Sequence, residues 1–177
     1  MQNILINKYY QIILPHYNAY GHLHSLCVTE YGSFIVEKEP LQIIQESIAY
    51  YGGSLNGALY GVKKALGDIH LPPLQICAKQ SIYWFYTQGL TNKANIFISH
   101  SHVNEVRKID NKNVSLTMKN GLNVTIPVSM QRMQKRIADT YCFSKIMESR
   151  TLPNANLQGG IGGINFDPDK GDYDFEN

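Results

Sequence analysis

The stretch VSLTMKNGLNVTIPV, residues 114–128, decides the fold class. Val114, Leu116 and Met118 alternate with polar residues before Asn120-Gly121, and Leu122, Val124, Ile126 and Val128 alternate after it. A period of two on both sides of a pair that tolerates positive φ predicts an antiparallel hairpin of Val114–Lys119 and Leu122–Val128 around a type I′ turn. Ser129 then stands where a helix N-cap belongs. Beyond it Met130, Met133, Ile137 and Tyr141 form a stripe at helical spacing, with Arg132, Lys135, Arg136 and Asp139 off it. Strands passing directly into a helix, with no alternating βαβ rhythm, point to an α+β protein that is rich in antiparallel sheet.

Working toward the N-terminus, Leu74–Ala78, Ser81–Thr87 and Asn95–Ser99 read as central strands, because the run Tyr83-Trp84-Phe85-Tyr86 is too apolar for a solvated loop. Ile4–Leu14, His22–Thr29 and Ser33–Glu37 read as a three-stranded meander. Between these groups Pro40 opens a helix through Leu41, Ile44, Ile48 and Tyr51, which Gly52-Gly53 stops. Ser54 caps a second, shorter helix containing Gly57 and Gly61. Toward the C-terminus periodicity ends at Arg150. Residues 1–150 are therefore expected to form one domain, and 151–177 a disordered tail that is first glycine-rich and then acidic.

The formal charge of +2 on 177 residues hides an uneven distribution. Asn165–Asn177 carries Asp167, Asp169, Asp172, Asp174 and Glu176 against Lys170, a local net of −4, so the preceding 164 residues carry +6. No apolar run approaches the roughly 18 residues of a membrane span. The polar start, Met1–Lys8, lacks the apolar region of a signal peptide, and the expected location is the cytoplasm. Cys27, Cys77 and Cys142 are odd in number and far apart, and read as reduced core residues.

Two H-x-H pairs, His22/His24 and His100/His102, would each place both imidazoles on one face of a strand, as a metal site requires. No carboxylate or cysteine sits at close spacing to complete a tetrahedral set, so hydrogen-bonded packing is the preferred reading and no cofactor is expected. The chain has no nucleophile elbow, Walker A loop or H-E-x-x-H, and an enzyme is not expected. Gly52–Gly57 follows a helix and lacks the Lys-Ser/Thr ending of a phosphate loop, so it reads as a helix stop and turn. The remaining lead is basic. Lys63, Lys64, Arg107, Lys108, Lys119, Arg132, Lys135 and Arg136 are the candidate DNA-binding residues, with a merely solvated face as the alternative.

From Glu39 to Val103 the chain resembles the competence transcription factor (ComK) family of Gram-positive bacteria. The motifs that carry this are Pro40-Leu41-Gln42-Ile43, Tyr50-Tyr51-Gly52-Gly53-Ser54 with Gly57 and Gly61, His70-Leu71-Pro72-Pro73-Leu74, and Ile98-Ser99-His100-Ser101-His102-Val103, in that order and spacing. The hairpin at Asn120-Gly121 continues the likeness, which extends over roughly residues 9 to 150. It implies a transcription activator, nucleoid-associated when bound, that binds paired AT-rich boxes in double-stranded DNA from the minor groove. It further implies a homodimer or a dimer of dimers, bending of the DNA, and His100/His102 as a feature of the fold. Three departures stand out: Ala58-Leu59 and Leu71 occupy positions where the family commonly carries cations, and the family's adaptor-captured C-terminal segment has no match. The acidic end stands in its place, and a divergent, mobile-element relative that inhibits a protein partner or a nucleic-acid machine is the alternative.

Overall fold

The structure is a computed structural model that describes residues 4–152 and 163–176. Its spine is a six-stranded antiparallel sheet in the order β3-β2-β1-β6-β5-β4. The strands are β1 (Tyr10–Tyr17), β2 (Leu23–Thr29), β3 (Gly32–Val36), β4 (Leu74–Cys77), β5 (Ile82–Tyr86) and β6 (Phe97–Ser99). The meander over the first forty residues is as expected, and β1 joins it to the later strands by pairing Ile12 with Ile98 and Ile13 with Phe97. The strand predicted from Ile4 begins later, at Tyr10. Residues before it are held by a helix instead: Ile6, fully buried, donates its N–H to Ser47 Oγ at 2.9 Å and accepts from the Tyr51 hydroxyl at 3.0 Å. Of the three strands expected to be central, β5 and β6 are, whereas β4 lies at the sheet's edge.

Every residue of β5 is buried, because this strand is covered on both faces. On one side Trp84 and Tyr86 pack with Ile43, Ile44 and Ile48 of α1 (Pro40–Tyr50). On the other, Phe85 meets Val114, Leu116, Met118 and Ile126 of a small three-stranded sheet, and Met133. That sheet is β7-β8-β9, formed by Val103–Lys108, Val114–Met118 and Asn123–Ile126. Helix α2 (Leu55–Leu66) buries only Val62, which meets Tyr83 and Phe143 of α3 (Met130–Thr151). Ser54 caps α2 by accepting from Gly57 N–H at 3.0 Å, and Gly52, at φ 88°, ends α1, so the glycine stretch is a helix stop and turn.

The hairpin that decided the fold class is present, but its turn differs. Only Gly121 has positive φ, 89°, while Met118 carbonyl accepts from Gly121 N–H at 2.9 Å and Met118 N–H donates to Leu122 carbonyl at 2.8 Å. This is the three-residue connection in which an ordinary turn is followed by a left-handed glycine, and asparagine need not leave its ordinary φ. Strand β7 is absent from the sequence reading. A register irregularity between Val103 and Glu105 puts Val103 and Val106 both inward, which erases the period of two.

Within the acidic end, where no regular structure is expected, Gly163–Asp167 (β10) and Asp172–Glu176 (β11) pair as an antiparallel hairpin. The turn is set by Asp167 Oδ1, which accepts from Asp169 N–H at 3.0 Å, and by Gly171 at φ 61°. The glycine-rich segment, residues 153–162, lies outside the described residues. Cys27 and Cys77 are buried as expected, and burial pushes the Cys27 thiol up to about 12; Cys142 is exposed, on the outer side of α3.

Candidate nucleic-acid interface

Helix α3 gathers the densest cationic group. Ser129 Oγ caps it by accepting from Arg132 N–H at 3.4 Å, and the next turn carries Lys135 and Arg136. These three side chains share the wall of a cavity of about 340 Å³ with the loop at His70-Leu71 and with Thr87-Gln88-Gly89, which follows β5. Leu71 holds a positive φ of 54° immediately before Pro72-Pro73, and hydrogen bonds fix the other loop. Asn95 Oδ1 accepts from the N–H groups of Thr87 at 3.1 Å and Gln88 at 3.0 Å, and Ile96 N–H donates to Thr87 Oγ1 at 3.1 Å. The Thr87–Gly89 wall is thus braced before any ligand arrives.

The helix is rotated from the expected stripe. Its buried face is Met133, Arg136, Thr140, Phe143 and Ser144, while Tyr141 is 53% exposed. Arg136, expected off the stripe and toward solvent, is only 8% exposed. Its Nη2 donates to the Thr87 carbonyl at 3.4 Å, and its Nε is sealed from solvent without a partner. Burial, with the neighbouring Arg132 charge, lowers its pKa from the ordinary guanidinium value, against weaker opposing contributions from Tyr86 and Asp139. Among the described residues, no carboxylate forms an ion pair with Arg136 or Arg132. Asp139 is drawn to Lys135, at 2.9 Å.

The other candidates lie outside this pocket. Lys63 pairs with Asp68 at 2.9 Å and Lys64 lies over the Tyr60 ring, both at the end of α2 that leads into the loop bearing Leu71. Arg107, paired with Glu105 at 2.9 Å, and Lys108 end the edge strand β7. Lys119 sits in the β8–β9 turn, its N–H donating to the His102 carbonyl at 2.8 Å. What sequence reasoning missed is the loop at Thr87–Gly89, which reaches α3 across 49 residues of chain and leaves no local signal.

His100 and His102 occupy a single 3-10 turn rather than one face of a strand, so their rings diverge. His102 is buried between Ser99 Oγ, 2.9 Å from Nδ1, and Glu30 Oε1, 3.0 Å from Nε2, which ties the β2–β3 turn to the end of β6. His100 lies beside Tyr141, its ring centroid 6.3 Å away. His22 precedes β2 and His24 lies within it, 3.5 Å from Asn18 Nδ2. Among the described residues, no three metal-ligating side chains converge.

Fold and pocket together define a class: an antiparallel α+β domain with a cationic cavity cut between its central sheet and its last long helix. The family follows from comparison. Residues 1–152 match the family model described as ComK protein, and the chain belongs to that family. It is also similar to a competence transcription factor of Bacillus subtilis (strain 168), with 28% identity over 107 residues. That similarity spans 60% of this chain and 56% of the relative, so the chain matches little more than half of that protein's length. No solved structure matches. Among the described residues no helix is long and apolar enough to cross a membrane.

Proposed function

We propose that this protein is a DNA-binding transcription regulator of the competence type, with no enzymatic step and no cofactor. One observation carries the reading: the family match runs from the first residue through α3, the part that holds the sheet, the cavity and all eight candidate cations. The relative is a competence transcription factor, and that is the activity brought to this chain. The charge distribution supports it, since the +6 before Asn165 includes Arg132, Lys135 and Arg136 converging at one concave surface. Backbone phosphates are the commonest partners of such cations.

The finer reading is an activator that engages paired AT-rich boxes from the minor groove as cooperating dimers in the cytoplasm. A-tracts have a narrow, electronegative minor groove, and the deformability of flexible steps such as TA supplies selectivity without an inserted recognition helix. Arg132, Lys135, Lys64, Lys108 and Lys119 act on phosphates, and Arg136 acts from the pocket wall. The test is a mobility shift of the full chain on a duplex carrying two AT-rich boxes. Binding at nanomolar to micromolar protein that resists GC-rich competitor and weakens steeply with salt is expected. Equal competition by GC-rich DNA would overturn the specificity.

A further inference from the structure

A cation buried in protein is costly unless an anion compensates it. Arg136 is over nine-tenths buried, its Nε has no partner among the described residues, its one described hydrogen bond is long at 3.4 Å, and the strongest charge acting on it is that of another arginine, Arg132. Among the described residues the acid whose charge acts on it, Asp139, is engaged by Lys135 through both carboxylate oxygens, at 2.9 and 3.2 Å. Arg132 and Lys135 stand at the same cavity, Arg132 in the first turn of α3, where the helix dipole adds positive potential, and Lys135 in the second. The opposite wall is the loop at Thr87–Gly89, locked by Asn95. Such a site presents cationic walls that are already organised to receive an anion.

We propose that this cavity is a specific phosphate site, one tetrahedral phosphate group held against Arg136 with Arg132 and Lys135 at its rim. Arg136 then differs in kind from the surface lysines, which neutralise phosphates without positioning them. The shared chemistry has two sources, a backbone phosphate of bound DNA or the phosphate of a free small molecule. The first source rests on the DNA-binding reading above; the affinity for phosphate does not.

Inorganic phosphate is titrated into the full chain at constant ionic strength while backbone amide NMR signals are followed, with chloride as the control. Saturable shifts at Thr87, Gln88, Gly89 and Arg132 are expected, weakened about tenfold by Arg136→Gln, the loss expected on removing a charge-assisted hydrogen bond. Arg136→Lys should restore part of the affinity, and Arg132→Ala, at an exposed position, gives a second variant that does not disturb packing. A second arm adds the AT-rich duplex. If phosphate and DNA shift the same amides and compete, the source is the DNA backbone. If phosphate saturates the pocket and DNA leaves those amides unmoved, the source is a free phosphorylated molecule, and the pocket stands whether or not the duplex binds elsewhere. Shifts that do not saturate, or that chloride reproduces, overturn the proposal even where DNA binds.

Discussion

Replacing Arg136 with methionine should stabilise the protein and weaken its grip on DNA at once. Burying a donor without a partner costs about 1–3 kcal/mol, and Nε of Arg136 is such a donor. The substitution removes that cost and the repulsion from Arg132. It forfeits one hydrogen bond to the Thr87 carbonyl, near the limit of useful length at 3.4 Å and worth under about 1 kcal/mol. Methionine keeps an unbranched apolar stem to fill the space. The balance is a gain of about 1–2 kcal/mol, and at about 2–4 °C per kcal/mol for a chain of this size Tm rises by roughly 2–8 °C. Calorimetry in chloride buffer reads this directly. Repeating the scan with phosphate at ten times the wild-type Kd should raise the wild type by about 1.4 kcal/mol and the variant, weakened about tenfold, by only about 0.4 kcal/mol. A variant that loses about 1 kcal/mol or more in chloride, beside a wild type indifferent to phosphate, would refute the reasoning, because Arg136 would then be an already satisfied structural residue.

Four further outcomes are expected. Arg132→Ala should reduce the slope of log K against log salt by about 0.9, measured by fluorescence anisotropy on the AT-rich duplex, with little change in Tm. Deleting residues 165–177, which removes a net −4, should tighten DNA binding at low salt and do so progressively less as salt rises. Gln11 is fully buried with both amide atoms unpartnered, so Gln11→Met should raise the urea midpoint by an amount equal to about 1–2 kcal/mol. Burial, with Lys119 and Lys145 nearby, holds the His100 imidazole below its ordinary value. The unfolded chain therefore binds more protons below about pH 6.5, and stability present above that value is lost as pH falls toward the folded-state pKa. His100→Gln should show a smaller loss than the wild type in urea melts between about pH 7.5 and about pH 5.5.

The elements legible in the sequence are those whose burial follows one period. Val114, Leu116 and Met118 alternate because β8 has one buried face, and Ile43, Ile44 and Ile48 recur at helical spacing because α1 lies on the sheet. Legibility fails where two constraints overlap. In β7 the irregularity beside Val103 breaks the alternation, whereas β5, covered on both faces and so without period, is legible through its apolar run instead. The acidic hairpin has its aromatic residues, Phe166, Tyr173 and Phe175, spaced among carboxylates that dominate its composition. At the candidate site, Arg132 and Lys135 were legible as basic positions, and Arg136 was legible as a cation but not as a buried one. Nothing local distinguishes an arginine facing water from one pressed against the Thr87 carbonyl, since the loop that covers it comes from a distant strand. Leu71 lines that same cavity, so this wall meets the three cations with an apolar side chain.

The pairing of β1 with β6 also sets a timetable for the chain's birth. Ile12 cannot meet Ile98 until the ribosome has added the residues between them, which at about 5–20 residues per second takes roughly 4 to 17 seconds. During that interval the β1–β3 meander has Ile12 and Ile13 along an open edge, with one face awaiting α1 and the other awaiting Phe85 and β8. The nascent protein therefore passes through a stage in which its first strand is sticky and its partner does not yet exist.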